Sequence, residues 1–126
     1  MDGVVHFEIP YENKERAFKF YTEAFGWSVT DSADFAGHSF AMASKCNEKG
    51  MPTEIGKING DLHARGGHLQ HPVIVLKVKN MAESRRKIEE HGGKALGEPV
   101  TLAGMGLYGF FNDSEGNVLG IWQDLK

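Results

Sequence analysis

The chain has 126 residues, of which 40% are hydrophobic and 25% charged, with a formal net charge of −3 and a pI near 6.0. That composition reads as one soluble globular domain, and Lys and Arg scattered over an acidic chain argue against a nucleic-acid surface. No apolar run nears the ~20 residues that span a bilayer, no basic-then-apolar leader opens the chain, and Cys46 is the single cysteine. The expectations are therefore no membrane partner, no internal disulfide, and a cytoplasmic location.

In chain order, Val4 to Ile9 alternates with period two and reads as a strand that Pro10 ends. Asn13 caps a helix on which Ala17, Phe18, Phe20, Tyr21, Ala24 and Phe25 share one arc, and Gly26 stops it. Trp27 to Val29, His38 to Ala43 and a stretch around Glu54 to Ile58 are the remaining strands of this half. The segment from Asn59 to Gln70 holds Gly60, Gly66 and Gly67 and reads as a connection.

The second half opens with a strand over Pro72 to Val78. Asn80-Met81-Ala82-Glu83 has the spacing of a capping box, with Glu83 in place to reach back to the cap. That helix runs to about His91 with a thin apolar face of Met81 and Ile88. Lys94 to Val100, Leu107 to Asn112 and Asn117 to Trp122 complete the strands, with a turn at Asp113 to Gly116.

The two halves repeat at an offset of 67 residues. Phe7 and Ile9 fall on Ile74 and Leu76, Asn13 on Asn80, Tyr21 on Ile88 and Gly26 on Gly93. Phe35-Ala36-Gly37 falls on Leu102-Ala103-Gly104. The reading is one α+β domain of two βαβββ modules over about 1–60 and 71–126, with a linker over about 61–70. Such modules close face to face, and the seam is where a ligand belongs. In the opening strands, Val5, Phe7 and Ile9 with Ile74, Leu76 and Val78 are expected under the helices. His6 and Glu8 with His71, Val73, Val75 and Lys77 face the cleft.

Two stretches carry a resemblance to a known family. One is His6-Phe7-Glu8-Ile9 before Arg16-Ala17-Phe18-Lys19-Phe20-Tyr21 and Phe25-Gly26-Trp27. The other runs from Asn112 through Asp113-Ser114-Glu115-Gly116-Asn117 to Trp122, with Ser114 where proline is usual. Together they resemble the vicinal oxygen chelate superfamily, which includes glyoxalase I, extradiol dioxygenases and bleomycin-resistance proteins. The resemblance implies a half-open, eight-stranded barrel-like sheet around one cleft, and a homodimer. It also implies, in the metalloenzymes, a divalent ion held by residues of the first and last strands of each module.

His6 stands at the first of those ligand positions, but its repeat counterpart is Val73, and the last-strand ligand falls on Gly120. Glu54 lies near the fourth position, and His71 is a displaced substitute for Val73. The pattern is closer to a metal-poor, glyoxalase-like branch with Phe-Glu in the first strand and Trp-Gln near the end, here Phe7-Glu8 and Trp122-Gln123.

The expected function is a small-molecule cleft protein, a lyase- or isomerase-type enzyme acting on a carbonyl-bearing substrate without the full metal set. His6 and Glu8 are its acid–base residues, while Val73, Val75, Tyr108, Val118, Gly120 and Trp122 bind substrate. Metal-dependent glyoxalase I or dioxygenase activity is not expected, and the cofactor expectation is none. The alternatives are a sequestering protein of the bleomycin-resistance type and a metalloenzyme using His6 with Glu54 or His71. A structural histidine satisfied by Glu8, and a Trp122 that simply packs, are the plainer readings of those residues.

Overall fold

A computed structural model describes residues 1–31 and 38–125, with His38 described by its backbone alone. The Phe35-Ala36-Gly37 segment of the repeat lies outside the described residues. The chain divides into two compact units, His6–Pro72 and Met1–Val5 with Val73–Lys126. Elements follow in the order β1 (Val4–Tyr11), α1 (Lys14–Phe25), β2 (Ser28–Asp31), β3 (His38–Met42), β4 (Asn59–Ala64), β5 (Val73–Lys77), α2 (Met81–Glu90), β6 (Lys94–Leu102), β7 (Gly106–Asn112) and β8 (Val118–Asp124). That is βαβββ twice, an α+β fold of mixed parallel and antiparallel strands.

In the first unit the strands run β2-β3-β4-β1, with β1 and β4 parallel and the other pairs antiparallel. Helix α1 begins where Asn13, in extended conformation, accepts the amide of Arg16 on its side chain at 2.9 Å. It ends where Gly26 turns left-handed at φ 72°, so that the Gly26 and Trp27 amides reach the carbonyls of Thr22 and Tyr21. The floor beneath is Ala41 and Leu62, both fully buried, with Ser39. Phe7 lies across β4 so closely that a Cβ on Gly60 would sit 2.4 Å from its ring, so only glycine fits there.

The apolar arc of α1 is only partly used. Ala17, Phe18 and Tyr21 are half-buried, whereas Phe20 and Phe25 remain 56% and 62% exposed. The arc is broader than the strip the sheet covers, and the surplus aromatics pack on each other and on Trp27 at the helix end. The Tyr21 and Trp27 rings stack at 4.9 Å.

The last strand of this unit is β4 at Asn59–Ala64, not a strand at Glu54 to Ile58. Asn59 is the cause. Its Oδ1 accepts the amides of Ala43 and Ser44, and its Nδ2 donates to the Ser44 carbonyl and Cys46 Sγ, which clamps residues 45–58 as a loop outside the sheet. Ile55 projects fully into solvent. The connection that remains holds a tight reciprocal pair of backbone hydrogen bonds between Gly66 and Leu69.

In the second unit the order is β5-β8-β7-β6, with β5 and β8 parallel. Gly3 belongs here too, its carbonyl accepting the Lys77 amide at 2.9 Å. Helix α2 lies against β6, β7 and β8 over a core of Val78, Met81, Phe111 and Ile121, flanked by Leu76, Ile88, Leu107 and Leu119. Because α2 does not roof the start of β5, Ile74 is 48% exposed rather than buried under a helix. Asn80 caps the helix by accepting the Glu83 amide at 2.8 Å. The Glu83 carboxylate, expected to reach back to the cap, instead faces Lys87 and Arg86. Gln123 Oε1 accepts the Met81 amide at 2.6 Å, so the Trp-Gln pair near the chain end ties β8 to the first turn of α2.

Strand β6 runs on to Leu102 past a bulge between Leu96 and Val100, where Gly97 has φ 60°. The β7–β8 turn is closed by Asp113, whose carboxylate accepts the amides of Glu115 and Asn117 and the Asn117 side chain, each at 2.9 Å. Strands β2 and β6 end their respective orders.

Candidate functional site

The alternation of β1 turns His6 and Glu8 to the face opposite Phe7 and Ile9. Parallel pairing sets Asp61 of β4 directly beside Glu8. His6 Nε2 lies 3.1 Å from Glu8 Oε1, the two side chains leaning together along the strand. Glu8 is 4% exposed and Asp61 7% exposed. The donor atoms of His6, Glu8 and Asp61 all lie within 4.8 Å of one another. Glu8 Oε2 is buried with no hydrogen-bond partner. One imidazole and two carboxylates are thus gathered at one corner. The plainer reading of His6, a histidine satisfied by Glu8, describes half of the arrangement. It leaves the second oxygen of Glu8 unaccounted for.

The second unit carries a separate apolar and aromatic surface. The register of β5, β8 and β7 puts Val73, Val75, Val118, Gly120, Trp122, Tyr108 and Phe110 on one face. Val73 and Val75 are buried and Val118 is half-buried. Tyr108 leans over Gly120 so closely that a Cβ there would meet its Oη at 2.7 Å and Val75 Cγ2 at 3.1 Å. Gly120 is thus the space that Tyr108 fills. The Trp122 ring lies edge-on to Tyr108 at 6.4 Å and donates through Nε1 to Asp124 Oδ1 at 2.6 Å. Asp124 also pairs with Lys77 at 2.5 Å, and these two bonds hold its carboxyl below the usual carboxylate range, Lys77 contributing more.

Other candidates are dispersed. Glu54 is exposed and ion-paired to Lys57, and His71 is exposed, so neither joins His6. Among the described residues no metal-capable group of three or more includes His63, His68 or His71. Cys46 is an exposed thiol near the Asn59 amide.

A cavity of about 650 Å³ is lined by Phe7, Ile9, Phe25, Trp27, Ala43 and Ile58. It lies on the other face of β1 from His6 and Glu8, and the charged group it offers is Lys57, already paired with Glu54.

Asp61 is the residue that sequence reading missed. It sits in Gly60-Asp61-Leu62-His63, where Gly60 and Leu62 alternate with Asp61 and His63. That period-two signal was hidden by the surrounding glycines.

Residues 3–121 match the family model of the Glyoxalase/Bleomycin resistance protein/Dioxygenase superfamily. A search of curated protein sequences finds no match. Among solved structures, a hypothetical protein from Bacillus halodurans C-125 is similar at a TM-score of 0.65 and 16% identity, over 99% of this chain and 96% of that one. Methylmalonyl-CoA epimerase from Mycobacterium tuberculosis gives 0.64 and 14%, over 98% and 89%. The Streptomyces coelicolor methylmalonyl-CoA epimerase, in complex with 2-nitronate-propionyl-CoA, gives 0.66 and 15%, over 98% and 97%. At these identities the likeness is one of fold.

The family implies a divalent ion held by ligands from four strands. In this chain the first unit offers His6, Glu8 and Asp61, a nitrogen and two carboxylates that suit such an ion. In the second unit Val73, Val75 and Gly120 offer no donor.

Proposed function

Because the chain belongs to the Glyoxalase/Bleomycin resistance protein/Dioxygenase superfamily, we propose that it binds a small carbonyl-bearing organic molecule and moves a proton on it. The observation that carries this reading is half-buried His6 bonded to buried Glu8, whose Oε2 has no hydrogen-bond partner. In the tautomer protonated at Nε2, His6 donates to Oε1 and holds the carboxylate in one orientation. Oε2 then takes a proton from the carbon next to the carbonyl, and the electron pair moves onto the carbonyl oxygen as an enolate. Return of the proton from Glu8 to the same face gives exchange with solvent, a proton delivered to the opposite face by water gives isomerisation, and expulsion of a neighbouring group gives a lyase outcome.

Methylmalonyl-CoA epimerases share this fold, and epimerisation beside a carbonyl is a proton exchange of this type. Val73, Val75, Tyr108, Val118, Gly120 and Trp122 are assigned to the organic part of the ligand, with Tyr108 and Trp122 offering ring faces. A homodimer is assigned because members of the family commonly form dimers. No helix among the described residues is long and apolar enough to cross a membrane, and we place the protein in the cytoplasm, where the exposed Cys46 thiol stays reduced.

The test is α-proton exchange in deuterated water, followed by NMR on a panel of 2-substituted acyl thioesters and α-hydroxy ketones. Wild type is expected to exchange at least one member, and Glu8→Gln to slow it by about 100-fold or more. Saturable binding with no exchange by any member would reject the enzyme reading and leave a sequestering protein of the bleomycin-resistance type.

A further inference from the structure

We infer that the cavity between the C-terminal end of α1, the Phe7 and Ile9 face of β1 and the loop before β4 is a second small-molecule site, taking a flat aromatic ring that carries one carboxylate. It lies within the first unit, on the opposite face of β1 from His6 and Glu8, and does not rest on the proposed function. The second half of the repeat shows what a filled helix end looks like. Gly26 and Gly93 hold the same place in the two halves, just past their helices. A Cβ on Gly93 would stand 2.6 Å from the Asn112 carbonyl oxygen and 2.8 Å from Ile88 Cγ2, whereas one on Gly26 would meet nothing within 4 Å. Met81 and Ile88 fill the space under α2. Helix α1 has no buried residue, and Tyr21, the counterpart of Ile88, stacks its ring on Trp27 instead.

The lining sets the ligand class. The cavity of about 650 Å³ is walled by the rings of Phe7, Phe25 and Trp27 and by the aliphatic side chains of Ile9, Ala43 and Ile58. A volume of that size with a mostly apolar wall suits a small organic ligand. Trp27 lies 5.4 Å from Phe7 and 6.2 Å from Phe25 between ring centroids, so the indole joins both into one wall that favours a planar partner over a flexible chain. Among the described residues, Lys57 is the charged side chain of the lining. Its ion pair with Glu54 is about half exposed on both sides, and a ligand carboxylate can take the place of Glu54 at small cost. Ring walls and one ammonium together fit an aromatic carboxylate and offer a second charge no counterpart.

The experiment titrates the full, isotope-labelled chain with sodium 1-naphthoate and follows the two indole N–H signals by NMR. Trp27 reports the cavity, and Trp122 reports the apolar surface of the second unit. Saturable shifts led by Trp27 are expected. Lys57→Gln is expected to weaken binding by about 3-fold, and Glu54→Gln, which frees Lys57, to strengthen it by about 3-fold, as suits an exposed ion pair. Both side chains are exposed, so neither substitution disturbs packing. Octanoate, with the same charge and no ring, is expected to bind at least about 3-fold more weakly than naphthoate.

No saturable shift overturns the site, as do shifts led by Trp122. Equal affinity for octanoate overturns the aromatic class. An affinity that neither Lys57→Gln nor Glu54→Gln changes overturns the part given to the ammonium. Naphthoate binding led by Trp27 in a protein that never exchanges an α-proton sinks the proposed function and leaves the cavity site standing. Exchange by a protein that binds no naphthoate does the reverse.

Discussion

Gly120 is where one missing side chain decides what surrounds it. A methyl group there would stand 2.7 Å from Tyr108 Oη, closer than real Cβ contacts allow, so the phenol must move or the strand must yield. Overpacking of this kind costs about 1–3 kcal/mol. Gly120→Ala is therefore expected to lower the unfolding free energy, read from urea titration, by an amount in that range. In a Tyr108→Phe background, where the nearest atom is gone, the same substitution is expected to cost less than half as much. Equal costs in the two backgrounds would show that the carbons at 3.1 Å, Tyr108 Cζ and Val75 Cγ2, and not the hydroxyl, set the limit. The residue scale is also where chemistry hides. His6 and Glu8 stand out in sequence because they are polar residues in an apolar strand, while Asp61 does not. It becomes a partner of Glu8 only through strand pairing.

Among elements, the ends are written most clearly. Asn13, Gly26 and Asn80 bound the helices where their capping chemistry puts them. The β7–β8 turn is legible for the same reason, because Asp113 and Asn117 use local hydrogen bonds that tolerate little else. Its carboxyl is held below its ordinary value of 3.8, first by the Asn117 side chain and then by the Asn117 and Glu115 amides. A folded-state value below the unfolded one means the stabilisation is fully present above about pH 4 and disappears as pH falls through the folded value. Asp113→Asn is thus expected to lower stability at neutral pH and to flatten its decline between about pH 4 and pH 2, read from urea midpoints across that window. Parallel curves for variant and wild type would show that the charge of Asp113 contributes nothing. Strand β4 was misplaced because its alternation is carried by glycine, aspartate and histidine. Its true start is set by Asn59 gripping residues 43–46, a contact between segments distant in sequence.

For the whole molecule, the 67-residue repeat and the two family-like stretches anticipated a twice-used βαβββ arrangement, and the family match over residues 3–121 agrees with it. The repeat is unequal where it counts for chemistry. The first unit gathers one imidazole and two carboxylates, whereas the second presents valines, rings and a glycine. Helix α1 likewise keeps Phe20 and Phe25 in solvent in the single chain, while α2 buries its Met81. Sedimentation equilibrium at tens of micromolar is expected to return the mass of two chains. A single-chain mass there would withdraw the homodimer and leave the exposed rings of α1 as ordinary surface.

The sequence by itself determined the helix limits, the β7–β8 turn and the polar face of β1, since each follows from local propensity and short-range periodicity, while the fold class came from the 67-residue repeat and the two family-like stretches. It also identified Val73 and Gly120 as positions that supply no metal donor. Only the tertiary structure decided that Asp61 joins His6 and Glu8, that Tyr108 fills the space over Gly120, that Gln123 caps α2, and that Glu54 and His71 stand apart. Those outcomes depend on which residues the strand register sets opposite one another, and register is a property of paired segments that no single segment encodes.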